Sequence, residues 1–139
     1  TQTRSARLSV KNVILLRNLR HQLGLGLELG RADVPLYGRI LAEGKRTVER
    51  WGGRLYVVYL PGERRYAGML GRVEQNALRK RVLAEISTQG LTAIDLTPAF
   101  DAAPAPRALF AGHYTPEGYA LAARTTLDRL TADPAFPLK

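Results

Sequence analysis

The chain has 139 residues, 45% of them apolar and 24% charged, the makeup of one ordinary globular domain or a piece of one. It contains no Cys and two His, which excludes disulfides, thiolate nucleophiles and Cys-based metal sites and gives no basis for a His-rich one, so neither metal nor cofactor is expected. Its 21 basic and 12 acidic residues give a net charge of +9, with no apolar stretch near the ~18–20 residues that cross a bilayer and no signal-peptide pattern at its start.

Residues 8–23 place Leu8, Leu15, Leu19 and Leu23 among Arg and Asn, a spacing that predicts an amphipathic helix with a basic face, ended by Gly24 and Gly26. A loop follows to residue 34, and residues 1–34 are set apart from the α/β part over 35–139. Pro35 suits the first turn of a second helix. Its apolar stripe is Leu36, Ile40, Leu41, Thr47, Val48 and Trp51, and Gly52-Gly53 stop it. Residues 55–60, Leu-Tyr-Val-Val-Tyr-Leu before Pro61, are a short continuous apolar run that predicts a buried parallel strand.

A polar loop over 62–71 leads into a helix over 72–88, closed by Gly90. Residues 91–96 predict a second strand, and Thr97-Pro98 open a brief helical turn through Phe100. After a loop over 109–114, Thr115 and Pro116 start a last helix over 117–132. Strands alternating with helices predict a parallel sheet covered on both faces. Two strands are too few for such a sheet, so the chain is expected to be the last part of an α/β domain whose N-terminal strands are missing from it or come from another chain.

The positive charge belongs to the front. Residues 1–54 carry 11 basic and 4 acidic groups, and residues 91–139 carry 4 and 5. A basic module docking nucleic acid or an anionic membrane is one reading. No aromatic residue lies among the Arg residues of 4–20, so bases have no stacking platform and nucleic acid is disfavoured against a solvated basic helix face.

Ligands of open α/β sheets gather at the carboxyl ends of the strands, where the loops 61–71, 97–106 and 109–114 are expected. His113 there is a candidate general base, the competing reading being a surface or packed His. Arg64 and Arg65 are candidate contacts for an anionic substrate or solvated side chains, and Tyr114 lines a pocket or packs under the last helix.

The residues Gly112-His113-Tyr114-Thr115-Pro116-Glu117-Gly118-Tyr119, followed by Ala120-Leu121-Ala122-Ala123, resemble the last conserved block of the SGNH/GDSL hydrolases. Residues 51–61 are similar to a later core strand of that family, and Ile94-Asp95-Leu96-Thr97-Pro98-Ala99-Phe100 to the strand and turn before its His block. The resemblance covers roughly residues 35–130. It implies a partial flavodoxin-like, three-layer α/β/α fold, and an SGNH-type serine esterase or O-acyltransferase in which His113 activates a Ser that attacks an ester. It also implies a tetrahedral oxyanion held by N–H donors.

Two departures from the family pattern stand out. No Gly-Asp-Ser and no Gly-x-Asn-Asp occurs, and Ser5, Ser9 and Ser87 are on no strand-to-helix elbow. The nucleophile and oxyanion blocks are therefore expected upstream of Thr1, in the other half of the same domain, with the chain inactive alone. Where the family has an Asp shortly before the His, this chain has Phe110 and Ala111. Asp101 is then the candidate orienting carboxylate, a solvated turn Asp being the other reading. The resemblance implies an ester substrate, such as an acylated carbohydrate. The alternative function is a non-catalytic SGNH-like binding module. The lack of Cys fits an extracytoplasmic location, and exposed strand edges make a homo-oligomer an expected partner state.

Overall fold

The computed structural model describes residues 34–136. The helix expected over 8–23 and the loop behind it lie outside the described residues. What is described is a mixed α/β arrangement dominated by helices around a two-stranded parallel sheet.

Helix α1 (Val34–Glu49) starts at the residue before Pro35 and ends in a glycine closure. Gly52 takes φ +75°, and the Gly53 N–H donates to the Val48 carbonyl at 3.0 Å, so that carbonyls at the helix end are satisfied as the chain reverses. The expected apolar stripe is only partly the buried face. Leu41 is buried, but Leu36 and Ile40 are 44% and 59% exposed. The contact with the next long helix runs instead through Gly38, where a Cβ would meet the Glu85 carboxylate at 2.0 Å.

Strand β1 (Tyr56–Tyr59) pairs in parallel with β2 (Thr92–Asp95), in the register Tyr56↔Thr92 to Tyr59↔Asp95. The parallel pairing is the one expected, but β1 is not fully buried: Val58 is 38% exposed and Leu60, just past the strand, 48%. After β1 the loop tightens into a 3-10 turn over Glu63–Tyr66. Helix α2 (Met69–Thr88) begins three residues earlier than expected. Gly71 reads as a break in sequence, yet it lies inside the helix because a Cβ there would strike the Arg64 carbonyl at 2.1 Å. Its role is close approach to the preceding turn. Helix α2 ends as α1 does, with Gly90 at φ +63° and the Leu91 N–H on the Ile86 carbonyl at 3.1 Å.

A short helix α3 (Thr97–Asp101) follows β2, then a 3-10 turn over Pro106–Leu109. The segment 109–114, expected as loop, closes into a small antiparallel hairpin. Strand β3 (Phe110–Ala111) pairs with β4 (His113–Tyr114), and Gly112 makes the reversal at φ +76°, a conformation only Gly adopts cheaply. Helix α4 (Pro116–Thr131) begins where expected: the Thr115 hydroxyl accepts the Gly118 N–H at 3.2 Å, a side-chain N-cap ahead of a first-turn Pro. The core is Ile94, Leu96, Phe100, Phe110 and Ala122, with Tyr56, Tyr66, Leu109, Tyr114, Leu121 and Leu130 packed around it. It fills the space between β2, α3, the hairpin and α4.

Candidate functional site

Three segments meet at the carboxyl ends of the strands: the turn after β1, helix α3 after β2, and the hairpin. Three kinds of contact lock them together. The first is aromatic. Phe110 lies 4.9 Å from Tyr114, 5.4 Å from Tyr66 and 5.8 Å from Phe100, and Phe100 lies 5.4 Å from Tyr114, measured between ring centroids. Such tilted pairs add to the burial of the rings themselves. The second is the Tyr114 hydroxyl, which donates to the Pro61 carbonyl just past β1 and pins the hairpin to the strand end.

The third contact is ionic. Arg65, 6% exposed, donates from Nε to Asp101 Oδ1 at 3.0 Å and from Nη2 to Oδ2 at 2.6 Å, while Nη1 reaches the Asn76 amide oxygen. Arg72 stands 3.6 Å from the same carboxylate. This two-pronged pairing is the strong form of a charged hydrogen bond. It holds the Asp101 carboxyl below the usual range, chiefly through the Arg65 hydrogen bonds. The clamp joins the turn after β1 to the end of α3.

His113 is exposed at this rim. Side chains alternate along a strand, so Tyr114 turns into the aromatic cluster while His113 and its register partner Ala111 face outward. The carboxylates near the rim are engaged elsewhere. Asp101 is held by Arg65 and Arg72. Asp95, at the end of β2, accepts from Arg79 Nε at 2.7 Å and from the Thr97 N–H at 3.0 Å. Burial pushes the Asp95 carboxyl up, but Arg79 and Thr97 together bring it below its ordinary value.

The residues singled out in the sequence thus occupy different places. His113 is presented to solvent. Arg65 and Asp101, expected as a substrate contact and an orienting carboxylate, are bonded to each other inside the rim. Tyr114 is a half-buried strut. Arg64 keeps 42% of its side chain exposed and pairs with the buried Glu74 at 3.1 Å. Sequence reasoning missed the Arg79–Asp95 and Arg64–Glu74 pairs; only Asp95-Leu96-Thr97, an Asp two residues before a helix start, signalled that Asp95 would be tied to the backbone. Among the described residues no group of three His, Asp or Glu side chains converges as a metal site would require. The grooves along α1, at the amino ends of the strands and beside β2 are not lined by His113.

The strut gives a first prediction. Burial pushes the Tyr114 hydroxyl from 10.0 up to about 12. A group with a raised folded-state pKa contributes stability in full below its unfolded value and loses it as pH rises through the folded value. Stability is therefore expected to fall between pH 10 and about 12 as Tyr114 ionises. Tyr114→Phe should lose about 1 kcal/mol at pH 7 with the Pro61 hydrogen bond and show a shallower fall over that alkaline range in urea unfolding.

None of the protein-family models, curated proteins or solved structures compared with the chain matches it.

Proposed function

We propose that this chain is the C-terminal part of an SGNH-type acyl hydrolase or O-acyltransferase domain, with His113 as the general base. The carrying observation is the placement of His113: exposed, on a hairpin strutted to the carboxyl end of a parallel strand pair, and two residues ahead of an N-capped helix. A general base needs this combination of a fixed backbone and an open imidazole. In this reading the two parallel strands belong to a wider flavodoxin-like sheet with helices on both faces. The rigid rim below His113 serves to preorganise it.

The chemistry follows from what the rim lacks as well as what it holds. Among the described residues Ser87 is the one serine, and it lies in the last turn of α2, away from the strands' carboxyl ends. In this reading the nucleophile and the oxyanion donors are supplied by the rest of the domain, outside residues 34–136. His113 takes the proton of that serine as it attacks an ester carbonyl and returns it to the leaving alkoxide, and water or an acceptor hydroxyl then resolves the acyl-enzyme. In this reading Arg64, on the turn after β1 and paired with Glu74, also meets an anionic group on the alcohol part of the substrate, as in an acylated acidic carbohydrate.

The test uses the protein in its native length. A fluorophosphonate probe is expected to label one serine outside residues 34–136, and p-nitrophenyl acetate to be turned over in proportion to the unlabelled fraction. Neither labelling nor turnover, with the protein folded, would sink the hydrolase reading.

A further inference from the structure

We infer that the outer face of α2 docks on an anionic lipid surface, with Met69, Leu70 and Val73 entering its apolar boundary and Lys80 and Arg81 lying among its headgroup phosphates. The side of α2 toward the sheet is marked by Arg79, bonded to Asp95 of β2, and by the fully buried Ile86 seven residues on. Residues three or four apart share a helix face, and those on the opposite side of α2 are exposed. Met69 is 81% exposed, Leu70 47% and Val73 58%; Lys80, Arg81 and Ala84 continue the same exposed face. Single apolar side chains scattered over a surface need no explanation, but three clustered at the start of one helix do.

Charge selects the occupant. Helix α2 has two acidic residues, and neither stands on that face. Glu74 is buried against Arg64. The Glu85 carboxylate lies against Gly38 of α1 and accepts from Gln89 at 2.7 Å. Lys80 and Arg81 form no ion pair among the described residues. The helix also begins with no side-chain cap and no acidic residue in its first turn, so nothing on it offsets the positive end of its dipole. Apolar side chains beside cations on one helix face are the pattern of an interfacial helix, and each cation near an anionic leaflet adds to the binding.

Other occupants fit this face less well. A stable protein interface takes about 20–30 residues a side, more than one face of α2 offers. None of the apolar side chains on the face is aromatic, so nucleic-acid bases have nothing to stack on. The docking does not depend on the acyl chemistry proposed above.

The 139-residue chain supplies the test, sedimented with vesicles of phosphatidylglycerol and phosphatidylcholine or of phosphatidylcholine alone. Binding is expected to the first and not to the second. Met69→Ser should weaken it about tenfold by removing an inserted side chain. Lys80→Gln with Arg81→Gln should weaken it about 25-fold, near fivefold for each charge removed. These side chains are exposed, so the circular dichroism of both variants should match the parent. The chain has no Cys, so Met69→Cys takes a single environment-sensitive fluorophore. Its emission should move to the blue on the anionic vesicles, while the same label on Ala123→Cys, exposed on α4, should not move. Four results would each overturn the inference: no binding to the anionic vesicles; undiminished binding by both variants, which would assign it to the basic residues of 1–33; no shift at position 69; or self-association without vesicles that Met69→Ser abolishes, which would put a second copy on this face.

Discussion

In the native-length protein, His113→Ala is expected to lower turnover of p-nitrophenyl acetate by about 10³-fold, within the range a positioned general base contributes, while leaving the unfolding midpoint within about 0.5 kcal/mol of the parent. The two halves of this expectation have separate causes. The imidazole is exposed and outside the aromatic cluster, so truncating it opens no cavity. Its backbone is held by the Ala111↔His113 pairing and by the Tyr114 strut on the next residue, so the hairpin persists. Free imidazole should restore part of the lost rate, because the vacated space opens to solvent. Unchanged turnover in His113→Ala would remove His113 from the chemistry altogether.

The same register states what a carboxylate partner would require. Residues directly opposite in an antiparallel pair hold their Cβ atoms about 4.5–5.5 Å apart, so Ala111→Asp sets a carboxylate across from the imidazole on the solvent face. Losing a triad's Asp is known to cost about 10⁴ in rate when the wrong tautomer results. A gain of about tenfold for Ala111→Asp is the expected share recovered at an exposed pair. No gain would mean that His113 is already oriented by a backbone carbonyl brought by the rest of the domain.

Local signals carried much of the fold. Glycines at the ends of α1 and α2, Thr115-Pro116 ahead of α4, and the apolar runs at 55–60 and 91–96 each act within a few residues, and each element lies where its signal stands. Three features escaped because their causes are tertiary. The hairpin has two-residue strands, too short for any period to show. Gly71, read as a break, lies inside α2 packed close against the Arg64 carbonyl of the preceding turn, a contact no local pattern shows. The stripe on α1 marked apolar positions but not the face that is covered, and Leu36 and Ile40 stay exposed. At the rim, His113 was legible because it stands next to a capping signal. The partner of Asp101 was not, since a pairing with Arg65 across 36 positions leaves no spacing to read.

That pairing carries the largest expected loss of stability. Asp101→Asn is expected to cost about 3 kcal/mol at pH 7, the lower end of what breaking one partner of a buried ion pair costs. Arg65, at 6% exposure, cannot turn to water without leaving the turn it belongs to, and an amide offers it one neutral acceptor in place of two charged ones. The pH dependence identifies the charge as the cause. Because Arg65 holds the Asp101 carboxyl below its ordinary 3.8, the pair contributes in full above pH 4 and is lost as pH falls through the lowered folded value. The gap between parent and Asp101→Asn in urea unfolding should therefore be wide at pH 7 and narrow steadily below pH 4. A gap of equal size at both ends would assign the cost to packing. Replacing both partners, Arg65→Met with Asp101→Leu, should recover most of the stability, since a paired apolar substitution leaves no charge stranded. It should still disturb the rim: apolar contact lacks the directional two-point bonding that sets the turn after β1 against α3, and so fixes the height at which the hairpin presents His113.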